Sequence, residues 1–134
     1  DDERRGRIDI KYRMATGRHV IVELKRPGRT VTTPELMDQG DKYKRTLKKI
    51  LRDRDRSHEP VEVVFVVGKE PTDWWDEDDR TSKERSLEQQ DMRVLMYQTL
   101  LDNAEDSYQQ YLEGQREIGE IAEVIDRIET EELA

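Results

Sequence analysis

Glu23 and Lys25 stand two residues apart inside an otherwise apolar run, "HVIVELKRPG" (His19–Gly28). Side chains on a strand alternate with period two, so the carboxylate and the ammonium share one face. Asp9 lies on the polar side of the preceding run, "GRIDIKYR". A hairpin through "MATG" would bring Asp9 beside both. Two carboxylates and an ammonium at one sheet edge suit a hard divalent cation such as Mg²⁺, with waters and a substrate phosphate completing the octahedron. A metal held this way polarises a phosphoryl oxygen and lowers the pKa of a bound water. The lysine then orients or deprotonates that water, or neutralises developing charge. The chemistry implied is phosphodiester hydrolysis.

The elements that must position these residues are legible as periodicities. In Gly6–Arg13 the residues Ile8, Ile10 and Tyr12 point one way, and Arg7, Asp9, Lys11 and Arg13 the other, which predicts a strand with one buried face. Met14–Arg18 reads as a short turn, with Gly17 available for positive φ. His19–Arg26 is the second strand of an antiparallel hairpin, ended by Pro27 and Gly28. Val20, Val22 and Leu24 are expected to anchor one of its faces and hold Glu23 and Lys25 on the other. Ile21 shares the face of Glu23 and Lys25, which argues that this face is covered.

Thr33 is the expected N-cap of a helix that runs from about Pro34 to Arg54. Its inner face carries Leu36, Tyr43, Leu47, Ile50 and Leu51. "VEVVFVVG" (Val61–Gly68) reads as a central strand buried on both sides. "KEPTDWWDEDDRTSKERS" reads as a long acidic loop. Met92–Tyr97 is a short strand and Gln98–Glu113 a helix. After Gly114 a last helix carries Ile118, Ile121, Ile125 and Ile128. The order β-β-α-β-loop-β-α-α predicts a mixed sheet with packed helices, an α/β (α+β) fold.

Composition sets the limits. The chain has 134 residues, 33% hydrophobic and 42% charged, which allows one lean core. It starts at Asp1, and is read as a processed product or a piece of a longer protein, with residues 1–113 as the main domain and 114–134 as a C-terminal helix packing on it or on a partner. There is no cysteine, hence no disulfide framework and no thiolate metal site. No stretch has transmembrane length and no signal peptide is visible, so a cytoplasmic, membrane-free setting is expected. The net charge of −8 is unevenly spread. Between Lys25 and His58, 11 Lys/Arg face 5 Asp/Glu; between Leu101 and Ala134, 2 face 11. A basic face on an acidic protein is therefore available for nucleic acid. Arg26, Lys42, Lys44, Arg45, Lys48 and Lys49 are its candidate phosphate contacts.

Asp9…Glu23-Leu24-Lys25 resembles the D…(D/E)-x-K motif of the PD-(D/E)XK nuclease superfamily, with Ile8 where the motif has its leading proline. Gln39-Gly40-Asp41-Lys42-Tyr43 resembles the Gln-x-x-x-Tyr element found on the next helix in the RecB-like branch. The longer pattern, "VIVELKRPG", "ELMDQGDKYKRTL", "VEVVFVVGKE" and "RVLMYQTLLDNAEDSYQQYL", is similar to the nuclease domain of Shedu-type anti-phage proteins. It covers roughly Gly6 to Glu113. The resemblance implies a restriction-endonuclease-like mixed β-sheet flanked by helices. It implies a Mg²⁺- or Mn²⁺-dependent deoxyribonuclease, with Asp9, Glu23 and the Leu24 carbonyl on the metal and Lys25 catalytic. Gln39 and Tyr43 become accessory residues, DNA the partner and defence against foreign DNA the setting.

Other readings stand beside this one. Asp9, Glu23 and Lys25 also fit the exposed face of a charged hairpin, and Tyr43 fits the core. Trp74 and Trp75, among acidic residues, suit packing or a partner contact better than base stacking. The isoleucine stripe suits a core, a helix contact or an oligomer seam. His19 and His58 make no zinc site. A non-cleaving nucleic-acid-binding module and an assembly domain are the competing functions.

Overall fold

The computed structural model describes residues 7–102, and the side chains of residues 10–101. Strands β1 (Arg7–Ala15) and β2 (Arg18–Lys25) form an antiparallel hairpin. Their two-residue turn, Thr16-Gly17, has φ of 50° and 74°. Two positive φ values match the twist of the flanking strands, and Gly17 meets its share at no steric cost. The turn is tighter than the five residues expected from "MATGR".

Helix α1 (Thr33–Asp53) then crosses to β3 (Val61–Val67), and α2 (Glu77–Glu88) crosses from β3 to β4 (Met92–Met96). A short α3 (Tyr97–Asp102) follows directly. The sheet order is β1-β2-β3-β4, with β2, β3 and β4 mutually parallel and β1 antiparallel to β2. The fold is thus a mixed four-stranded sheet with helices, of the α+β class. No described helix is long and apolar enough to cross a membrane.

The core forms between one sheet face and the two crossover helices. Ile10, Tyr12, Ile21, Val63 and Phe65 of the sheet meet Leu36, Tyr43, Leu47 and Ile50 of α1 and Leu87 of α2. β3 is central and buried, as its run of valines predicts. Two glycines permit close approach. A Cβ at Gly40 in α1 would stand 2.6 Å from Met92 Sδ, and one at Gly68 would stand 2.2 Å from the Pro27 carbonyl oxygen.

Two expectations are corrected. The helix cap is Thr32, whose hydroxyl accepts from the Glu35 N–H at 3.3 Å. Thr33 is engaged elsewhere: its N–H donates to Asp73 at 2.9 Å and its hydroxyl oxygen accepts from Trp74 Nε1 at 2.8 Å. Burial pushes the Asp73 carboxyl up, but the two hydrogen bonds from Thr33 and one from Lys83 outweigh it and hold it below the usual range. The second correction is α2, within what reads as an acidic loop. Asp76 caps it by accepting from the Asp79 N–H at 2.8 Å, and Glu77, Asp78 and Asp79 complement the positive end of its dipole. Only Leu87 of this helix is buried, so no hydrophobic period announces it. The expected helices over 98–113 and after 114 lie outside the described residues beyond Asp102.

Candidate functional site

Strand β2 inverts the usual assignment of faces. His19, Ile21, Glu23 and Lys25 are buried, and Val20, Val22 and Leu24 are only half-buried. The covered face under α1 therefore carries the charges, as Ile21 indicates, while the valines lie on the more open face instead of anchoring the strand in the core.

α1 meets the two charged groups in register. Gln39 Oε1 accepts a hydrogen bond from Lys25 Nζ at 2.8 Å, and the Tyr43 hydroxyl donates to Glu23 Oε2. Two strand residues span about 6.6 Å and four helix residues about 6 Å. A helix running against β2 can therefore place Gln39 over Lys25 and Tyr43 over Glu23 together. Leu36, Tyr43 and Leu47 hold this face of α1 in the core. Gly40, beside Gln39, removes the side chain that would strike Met92.

Glu23 Oε1 lies 2.5 Å from Lys25 Nζ, with both side chains essentially unexposed. That oxygen meets the ammonium at close range yet accepts no aligned hydrogen bond, and Gln39 Nε2 donates none. The cluster thus holds an opposite-charge pair, one unmet acceptor and one unmet donor. Buried polar atoms in native proteins are nearly always satisfied, so two unmet atoms at one point mark a site. Tyr97, which sequence reasoning passed over as a strand end, begins α3 and donates from its hydroxyl to the Lys25 carbonyl at 2.6 Å. Burial raises its phenol above the ordinary value, which keeps the proton on that oxygen.

Asp9 pairs through its Cα with Leu24, at a bulge between Arg7 and Asp9. Ile10 is the partner of Glu23, so the bulge shifts Asp9 one step from direct opposition to Glu23. Its backbone lies across from the centre of Glu23-Leu24-Lys25. The Asp9 side chain is outside the described set. Among the described residues no three His, Cys, Asp or Glu side chains gather around one point. The donors that suit a divalent cation are the Glu23 carboxylate, with its unmet Oε1, and the oxygens available at the Asp9 and Leu24 positions. All are hard oxygen donors, which fits Mg²⁺ or Mn²⁺.

The basic residues of α1 divide. Lys44 donates to the Gln90 carbonyl at 2.7 Å and pairs with Asp91 at 3.2 Å, while Arg45 pairs with Asp41 at 2.9 Å. Lys42 is half-buried, and Lys48, Lys49 and Arg26 are exposed. Trp74 packs against the core, with Arg80 6.0 Å from its ring, whereas Trp75 is 84% exposed.

At the other end of β2 lies a network the sequence did not announce. Buried His19 joins Glu59 through Nε2 at 2.7 Å, and its Nδ1 joins the Tyr12 hydroxyl. Arg56 also reaches Glu59 at 2.7 Å. The hydrogen bond from His19, seconded by Arg56, holds the Glu59 carboxyl below its ordinary value. The one signal was His19 in phase with Ile21, Glu23 and Lys25.

These features define an α+β domain with a buried Glu–Lys–Gln–Tyr cluster between a helix and a mixed sheet. Comparison with protein-family models, curated proteins and solved structures finds no significant match.

Proposed function

We propose that the chain is a metal-dependent nuclease domain of PD-(D/E)XK type that cleaves DNA phosphodiester bonds. The observation that carries this reading is the pair of unmet buried atoms, Glu23 Oε1 and Gln39 Nε2, on either side of the Lys25 ammonium. Glu23, with Asp9 and the Leu24 carbonyl, would hold Mg²⁺ or Mn²⁺. When bound, that ion supplies Lewis-acid polarisation of a phosphoryl oxygen and a more acidic water. Lys25 offers a proton donor and positive charge at the reacting phosphate. Gln39 fixes the lysine and presents its amide donor. Tyr43 orients the Glu23 carboxylate, and Tyr97 pins the strand end by the Lys25 carbonyl. Arg26, Lys48 and Lys49 supply exposed charge for the phosphate backbone. By the resemblance, the setting is cytoplasmic defence against foreign DNA, with further domains of a parent protein as partners.

The test is incubation of linear and supercoiled DNA with the chain and Mg²⁺ or Mn²⁺. Wild type is expected to cleave, and Glu23→Gln and Lys25→Met are expected to be inactive. DNA left intact by wild type, or cut equally by all three, sinks the reading.

One observation favours a second reading. Glu23 and Lys25 are both shielded from solvent and paired with each other, as in a structural ion pair. That suits a nucleic-acid-binding or oligomerisation module on the same fold. Calorimetric titration of wild type with Mn²⁺ separates the two, since the module reading gives no binding that Glu23→Gln abolishes.

A further inference from the structure

The strand order β2-β3-β4 advances in one direction across the sheet. Crossover connections keep one hand, so successive helices along such an advance land on the same face. α1 and α2 do so, sharing one core through Leu47 and Leu87. Neither crossover helix is therefore available to the opposite face. That face carries a groove of about 350 Å³. Val20, Val22, Val64 and Val66 contribute apolar lining. Lys11, Arg13 and Arg93 also line it, and no acidic side chain does so among the described residues. An apolar surface flanked by cations calls for an amphipathic acidic partner.

The chain itself has such a segment, and leads to it from the groove. Leu100 of α3 lines the groove, two residues before the described chain ends at Asp102. Beyond it, residues 114–134 contain 7 Asp/Glu and 2 Arg, with isoleucines at 118, 121, 125 and 128. Spacings of three, four and three put four isoleucines on one side of a helix and leave the acids for its margins. We infer that this C-terminal segment docks in cis on the outer sheet face, its isoleucines against Val20, Val22, Val64 and Val66 and its carboxylates toward Lys11, Arg13 and Arg93. The stripe is then the lid of a second core, and a second copy of the chain is not needed to cover it.

The absence of cysteine makes this directly testable. Val22→Cys is combined with Ile121→Cys, and separately with Ile125→Cys, in the full chain under mild oxidation. Docking in cis predicts a disulfide within one chain for at least one pair, seen as a faster-migrating monomer on a non-reducing gel. A disulfide-linked dimer at low protein concentration assigns the groove to a second copy and overturns the inference, as does the absence of any disulfide. If the paired variants fold poorly, Val22→Cys alone serves. Its alkylation by a charged maleimide is expected to speed up at least tenfold when Ile121→Asp and Ile125→Asp are added. An unchanged rate overturns the inference.

Discussion

Lys25 Nζ lies 2.5 Å from Glu23 Oε1, and the two side chains belong to the same strand, two residues apart. They are buried side by side, not brought together across the fold. Nothing in the tertiary structure can separate them while β2 stays extended. A buried pair is stabilising mainly relative to its broken halves, because a lone charge left in the core is uncompensated. Lys25→Met and Glu23→Gln are each expected to lower unfolding free energy by about 3–5 kcal/mol. The double variant Glu23→Leu/Lys25→Met recovers most of that. Urea melts of the four proteins check this; additive losses in the double variant refute it.

Tyr43 should matter through its hydroxyl. Tyr43→Phe keeps the ring in the core and removes the donor to Glu23 Oε2. The expected loss is about 1–3 kcal/mol, since a buried acceptor loses its partner. A melt within 0.3 kcal/mol of wild type, a spread of roughly the size expected for a surface change, would show that the bond contributes nothing.

Gly40 and Gly68 should respond differently to alanine. The atoms facing Gly40 belong to the flexible Met92 side chain, whereas those facing Gly68 are Pro27 backbone. Gly40→Ala is expected to cost about 1–3 kcal/mol by overpacking, and less in a Met92→Ala background. Gly68→Ala has no such relief and should cost more. Equal costs for the two, or no coupling between positions 40 and 92, would contradict the packing described.

Glu59 gives a pH dependence. Its native carboxyl titrates below the ordinary value of 4.5, chiefly because His19 donates to the carboxylate. A group depressed on folding stabilises fully above its unfolded pKa and loses that contribution as pH falls through the native value. The stability difference between wild type and Glu59→Gln should therefore be constant at neutral pH and shrink below 4.5. Denaturant melts between neutral pH and acid read it directly. A difference that grows with acidity would reverse the sign.

The sequence by itself determined the elements whose periodicity is dense. Alternation in β1, the apolar run of β3 and the inner stripe of α1 each follow from local chemistry. So does the sharing of one face by Ile21, Glu23 and Lys25, because period two is a property of any strand. It could not show α2, where one buried leucine in twelve residues leaves no periodic signal and Asp76 is a cap only once a helix follows it. Tertiary structure alone decided which face of β2 is covered. Val20, Val22 and Leu24 are the more apolar set, yet the advancing order of the parallel strands puts both helices over the charged set. It also decided the partners of those charges. Gln39 and Tyr43 reach Lys25 and Glu23 because four residues of helix and two of strand span nearly the same length. That match acts only when α1 lies against β2 at a distance set by Gly40 and the core beneath it.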